Sequence, residues 1–299
     1  MTIVEPRTLG FIGLGVMGQG QSSNLVRKAE RPVLVSDLAP EAVQRLVDIG
    51  AEPAASAADV AARADVVFTS LPGGPQLEAV LLGEGGAFDA ATAGTVFVDL
   101  STIPVELAKR LGEEARARGI HFVDAPVART RQAAVDGTLS ITVGAEDAVY
   151  PVVEPFLRMM ATDVVHLGPN GAGALLKLVN NMVVFETVVA LSEALTLIRR
   201  SGLVDAAIAF DALGTGSAAS FTLENHGRKA LLPDVHGEGI FPAAYMRKDL
   251  SYVLQLAEDL GTDVPAATLA HELLGRVVDG GMANNYHTAV VRVIEGQVP

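Results

Sequence analysis

The chain has 299 residues, 49% hydrophobic and 19% charged, a globular composition too long for one core of about 100–200 residues, so two domains are expected. Its 22 basic and 35 acidic residues leave a net charge of −13, which disfavours nucleic acid as a partner and means that an anionic substrate needs a local cation. Without cysteine, disulfides, cysteine-type zinc sites and thiol nucleophiles are excluded; no uninterrupted apolar run reaches the roughly 18 residues of a membrane span.

The apolar run at 8–17 is broken by three glycines and preceded by Glu5, which is not the pattern of a secretory leader. A cytoplasmic protein with no membrane partner is expected. Strand-like and helical stretches then alternate. Residues 8–13, 32–37, 65–70, 95–100, 120–124, 138–143 and 163–167 are short and nearly all apolar, as strands covered on both faces must be. Between them, 21–28, 40–49 and 104–118 have helical spacing, and the leading Pro40 and Pro104 suit a helix start. Strict alternation implies βαβ units in a doubly wound, mostly parallel sheet. After Leu167 the pattern changes. Gly168-Pro169-Asn170-Gly171 is turn chemistry, and one long helical stretch follows to Arg200, ended by Gly202. Further helices are expected at 204–213, 242–260, 265–279 and 287–295. The expected organisation is an α/β Rossmann domain at 1–167 and an all-α domain at 168–299, joined by the long helix.

Gly13-Leu14-Gly15-Val16-Met17-Gly18 fits the G-x-G-x-x-G pattern. Its chemistry requires a tight turn, close backbone approach to a pyrophosphate, and a helix whose opening N–H groups point at the anion. In a chain with 30 glycines the pattern alone is weak. Context strengthens it: the motif ends the first strand, and Asp37 closes the second, 19 positions past Gly18. That is the place for a carboxylate gripping the adenosine ribose, the alternative being a strand-end helix cap. Asp37 would repel a 2′-phosphate and Leu38 offers no cation, which favours NAD over NADP.

Lys177 lies within the apolar long helix, with Asn180 three and Asn181 four residues on. A lysine snorkelling to water is the bland reading. Against it, Lys177 and Asn181 share one helical face, which suits a polar site in a cleft. Such an ammonium could protonate the alkoxide formed by hydride addition and recover the proton in reverse.

Taken together, the motifs resemble those of the β-hydroxyacid dehydrogenases, related to 6-phosphogluconate dehydrogenase. Gly10 to Gly18 resembles the nucleotide fingerprint. Asp124-Ala125-Pro126-Val127 followed by Gly137-Thr138-Leu139 resembles the substrate signature. Gly171-Ala172-Gly173 leading to Lys177 and Asn180-Asn181 resembles the catalytic signature, and Lys248-Asp249-Leu250 the C-terminal cofactor motif. The resemblance implies that Lys177 is the catalytic lysine, that Asn181 holds the substrate beside it, and that Lys248 reaches towards the cofactor. It further implies that Leu71-Pro72 and Ser101-Thr102 lie beneath the nucleotide, and that the protein is a homodimer or homotetramer. Where the family continues its substrate signature with Ser-Gly-Gly, this chain has Ala128-Arg129-Thr130, similar to the branch that includes sulfolactaldehyde reductases. A guanidinium fork matches carboxylate or sulfonate, so Arg129 and Thr130 are expected to receive the acid group of a small anionic hydroxy acid or aldehyde. The alternative pairs Arg129 with Asp136 or Glu146 at the surface, and Arg131 is expected to be solvated.

Other constellations fail. His271-Glu272-Leu273-Leu274-Gly275 lacks the second histidine of a zinc helix, and the six histidines are scattered, so no metal is expected. Gly216-Ser217-Ala218 is no nucleophile elbow. Two rival readings remain: an imine reductase, opposed by Lys177, and a non-catalytic module that kept the fold, opposed by the Lys177–Asn181 pair and the acidic charge.

Overall fold

The protein is described by a computed structural model covering residues 5–298. Among the described residues nine strands form one sheet: β1 (Leu9–Ile12), β2 (Val33–Ser36), β3 (Glu52–Pro53), β4 (Val66–Thr69), β5 (Val96–Asp99), β6 (His121–Asp124), β7 (Val127–Ala128), β8 (Leu139–Gly144) and β9 (Ala161–Gly168). Strands β3-β2-β1-β4-β5-β6 lie side by side and parallel; β8 runs antiparallel to β6 and β7, and β9 pairs parallel with β8. All seven expected strands are present. The two further ones, β3 and β7, are two residues each, too short to leave an alternation in the sequence.

Strands β1, β2, β4 and β5 are buried along their whole length, because helices cover both faces. On one face Leu9, Phe11, Leu25, Val35, Phe68, Val98 and Leu157 belong to a continuous apolar core. The strand order reverses between β1 and β4, which places the carboxyl ends of both at the switch point where ligands of such sheets bind.

The chain divides into two compact units, Met1–Lys177 and Leu178–Pro299. The helix Ala172–Ser201 runs through the division. By length and composition it could cross a membrane, although Lys177, Asn180, Asn181 and Glu186 interrupt its apolar sequence. Arg199 and Arg200 end it: Arg199 pairs with Glu295 at 2.8 Å and Arg200 donates to the Glu295 carbonyl at 2.9 Å. Helices Ala206–Gly214, Ala243–Asp259 and Pro265–Val277 fall where the spacing predicts them.

Three details differ from the expectation. Leu223–Leu231 is a π-helix with no predicted counterpart. The helix expected to reach 279 stops at Val277 and opens into a π turn at Val278–Met282, where Gly280-Gly281 supplies no side chain to hold a regular turn. The last expected helix begins as a 3₁₀ turn, His287–Ala289, before Val290–Ile294.

Candidate active site

The glycine motif follows β1 directly. Gly13 has φ +92°, and a β-carbon on it would strike the Ser70 carbonyl, so only glycine fits this turn. A β-carbon on Gly15 would meet nothing within 4 Å, which leaves open space above the turn. The helix Gly18–Lys28 starts without a side-chain cap, the Gln19 N–H donating to the Gly15 carbonyl at 2.9 Å, so its positive end faces the turn as an anion site would require. Asp37 follows β2: its Oδ2 accepts from the Leu14 N–H at 2.6 Å and its Oδ1 from the Ala39 N–H at 2.8 Å. Lone pairs remain on both oxygens for a ribose hydroxyl. Leu38 beside it is fully exposed. These residues fit a dinucleotide: a bare turn for the pyrophosphate and a fixed carboxylate for the ribose.

The expected loops after β4 and β5 are tied together by a buried residue that sequence reasoning missed. Asp99 Oδ1 accepts from the Thr69 hydroxyl at 2.7 Å and from the Ser101 hydroxyl at 2.6 Å. The Ser101 Oγ in turn accepts from the Leu71 N–H at 2.9 Å. Asp99 therefore sets the loops Leu71-Pro72 and Ser101-Thr102. The available signal was an acidic residue closing an otherwise apolar strand, Val96-Phe97-Val98-Asp99.

Asp99 is in register with Asp124 at the end of β6. Asp124 is wholly buried, and its carboxylate accepts from the Gly171 N–H at 2.8 Å and the Ala174 N–H at 2.9 Å. Burial pushes its carboxyl up to about 7, against the pull of those N–H groups. Lys177 is half-buried on the same helix, one turn beyond Gly173.

Arg129 is exposed and stands at φ +84°, a left-handed backbone that costs a non-glycine residue about 1 kcal/mol. Its guanidinium donates to the Thr138 carbonyl at 2.6 Å, the Thr162 hydroxyl at 2.7 Å and Asp163 at 2.6 Å. The surface partners anticipated for it are engaged elsewhere: Glu146 with Arg116 at 3.2 Å, Asp136 with the Gln132 amide at 2.8 Å. The sheet register, which brings Ser140 against both Ala128 and Asp163, explains why Asp163 is the partner instead. Thr130 caps the helix Arg131–Asp136, its Oγ1 accepting from the Ala133 N–H at 3.3 Å; its own O–H is left to donate. Arg131 is exposed.

In the second unit, Asn181 is buried and donates from Nδ2 to Asp249 Oδ2 at 2.7 Å, while its Oδ1 accepts from Asn180 at 3.1 Å. Lys248, on the helix Ala243–Asp259, pairs with the other oxygen of Asp249 at 3.0 Å and stands over the rings of Tyr245 and Tyr252. Histidines scattered in sequence also meet here. The His287 ring lies 4.5 Å from Tyr286, 5.2 Å from His226, and 5.5 Å from both Phe185 and Phe241, centroid to centroid. His226 bonds to the Tyr286 hydroxyl, and His236 to Thr288 and Asp234 at 2.8 Å each. Nothing in their spacing pointed to this cluster. Among the described residues no three His, Asp or Glu side chains are placed to hold a metal ion.

A glycine turn at the switch point of a parallel sheet, a carboxylate fixed just after the second strand and a helical second unit fit a dinucleotide-dependent oxidoreductase. Comparison with known proteins is specific. The pattern of the NAD-binding domain of 6-phosphogluconate dehydrogenase matches residues 8–168, and that of the NAD-binding region of NADP-dependent 3-hydroxyisobutyrate dehydrogenase matches 171–294. The chain is 35% identical to the 2-hydroxy-3-oxopropionate reductase of Escherichia coli K12 over 288 residues, 96% of this chain and 97% of that protein. It is 33% identical to the 2-(hydroxymethyl)glutarate dehydrogenase of Eubacterium barkeri over 289 residues, 96% and 94% of the two chains. The solved 3-hydroxyisobutyrate dehydrogenase of Mycobacterium tuberculosis with L-serine superposes with a TM-score of 0.87 at 29% identity, over 96% of this chain and 99% of that one. The chain belongs to the β-hydroxyacid dehydrogenase family of NAD(P)-dependent oxidoreductases.

Proposed function

We propose that the protein is an NAD-dependent dehydrogenase interconverting a small β-hydroxy acid and its semialdehyde or keto form, with Lys177 as general acid and base. The observation that carries this reading is the Lys177–Asn181 pair: two polar side chains four residues apart on one helical face, in a chain whose first unit holds a dinucleotide cradle. Bound nicotinamide supplies the hydride chemistry. Lys177 hands a proton to the oxygen of the reduced carbonyl, and takes it back in the oxidation direction. Asp249 occupies the Asn181 amide nitrogen, which fixes how that amide is presented to the substrate. Asp37 supports NAD over NADP, because a 2′-phosphate would sit against a carboxylate with no cation at Leu38.

Arg129 and Thr130 are the proposed receptors for the substrate's carboxylate or sulfonate. The planar fork of Arg129 and the free O–H of Thr130 support this; Asp163, already on that fork, is the competitor an incoming acid has to displace. Exposed Leu175, Val179 and Val183 on the long helix support a homo-oligomer.

The test is a panel assayed with NADH or NAD and with NADPH or NADP in parallel. It comprises 2-hydroxy-3-oxopropionate, 3-hydroxyisobutyrate, 2-(hydroxymethyl)glutarate, L-serine, sulfolactaldehyde and a cyclic imine. Turnover of a hydroxy acid or semialdehyde is expected, with Lys177→Ala lowering kcat by about 10²–10⁴-fold while NADH still binds. Turnover of the imine above every acid, or an unaffected Lys177→Ala, overturns the reading.

A further inference from the structure

We propose that Asp124 is a positioning residue for this reaction: its buried carboxylate clamps the first turn of the helix that carries Lys177. The inference rests on the role given to Lys177 above. Three observations support it.

The helix Ala172–Ser201 is preceded by Gly171, a residue with no side chain to cap it. The cap comes instead from β6, 47 positions earlier: both Asp124 oxygens are used, one on the Gly171 N–H and one on the Ala174 N–H. Charge-assisted bonds of this kind are about twice as strong as neutral ones, and here they hold the turn at two points.

The contact has no slack. A β-carbon on Gly173 would lie 2.5 Å from the Asp124 carbonyl oxygen, 2.6 Å from that of Thr142 and 2.9 Å from the Gly144 nitrogen. One on Gly144 would lie 2.6 and 2.7 Å from the two Asp124 carboxylate oxygens. The ends of β6 and β8 and the first helical turn therefore meet backbone to backbone. Gly173 and Lys177 share a helical face, about 6 Å apart along the axis, so a shift at the clamp is passed directly to Lys177.

The carboxylate is also kept where it is unfavourable for stability. Its folded-state carboxyl titrates at about 7 against 3.8 for the ordinary group, so holding it ionised above pH 7 works against the fold. An amide removes that charge but cannot cap both groups. Asn at this position presents one oxygen to one N–H and turns its NH₂ on the other, donor against donor.

The experiment compares wild type, Asp124→Asn and Lys177→Ala at pH 8 on the best substrate of the panel, with NADH affinity from nucleotide fluorescence and stability from thermal melting. Asp124→Asn is expected to stay folded and bind NADH within twofold, yet lose tenfold or more in kcat. If it fails to fold, Gly144→Ala, whose β-carbon would press on the same carboxylate and on the Pro169 carbonyl, is expected to melt lower but still bind NADH within twofold while losing tenfold or more in kcat. Asp124→Asn, or Gly144→Ala in its place, with kcat within twofold of wild type while Lys177→Ala is inactive, overturns the clamp alone. An active Lys177→Ala overturns the underlying assignment and the clamp with it. Loss of kcat that follows loss of melting temperature and of NADH binding makes Asp124 a fold residue only and overturns the proposal.

Discussion

Acid should weaken the C-terminal unit through its histidine cluster, and the size of the effect follows from the structure. Burial lowers His226 to about 4, with Lys229 adding to the shift, and holds the fully buried His287 well below the ordinary histidine range. For a base whose folded-state value is depressed, stability is unaffected above the unfolded value of about 6.5 and falls as pH drops below it, because only the unfolded chain takes up the proton. For His226 the loss is about 2 kcal/mol by pH 5 and about 3 kcal/mol by pH 4. Asp124 in the other unit opposes this: its raised value makes the fold gain stability as pH falls below 7. The wild-type pH curve alone is therefore a poor test, and the comparison must be between variants. His226→Gln keeps a polar atom for the Tyr286 hydroxyl. His287→Phe gives up no hydrogen bond, since neither ring nitrogen of His287 has a partner among the described residues, and it fits a surround of aromatic rings. Urea unfolding followed by circular dichroism at pH 7.5 and 5 should show each variant losing less stability between the two pH values than wild type. The difference for His226→Gln should be about 2 kcal/mol. Equal losses in wild type and both variants would refute the assignment of acid sensitivity to this cluster.

Two other substitutions probe the first unit. Gly173→Ala forces a methyl group against three backbone atoms of β6 and β8; it should cost about 1–3 kcal/mol of stability and, by displacing Lys177, lower kcat by up to about 10²-fold, measured by urea unfolding beside steady-state kinetics. Arg129→Gly removes an exposed ion pair, worth about 0–1 kcal/mol, and relieves the positive-φ backbone, so stability should stay nearly level. A KM raised at least tenfold for the acid substrate with little change in kcat would mark Arg129 as the anion receptor, whereas an unchanged KM would leave its fork to Asp163.

Much of the architecture was legible because it rests on local chemistry. Seven strands announced themselves as short apolar runs, since a strand covered on both faces has no polar side to show. The glycine turn was readable because its steric demand falls on residues a few positions apart, and Lys177 and Asn181 could be placed on one face from helical periodicity alone. The π segments were not readable: Leu223–Leu231 has ordinary helical composition, and apolar spacing does not separate a π turn from an α turn.

Polar partnership was settled only in three dimensions. Arg129 finds Asp163 34 positions on, Asp124 caps a helix 47 positions on, and Asn181 meets Asp249 68 positions on. Each of these side chains had several plausible partners in the linear chain, and the register of β7, β8 and β9 or the packing of two helices chose among them. Sequence by itself determined the fold class, the glycine turn after the first strand and the placing of Lys177 and Asn181 on one helical face, because periodicity and backbone sterics act over a few residues. Tertiary structure decided what holds those residues in place, because hydrogen bonds and ion pairs depend on distances that only the folded chain sets.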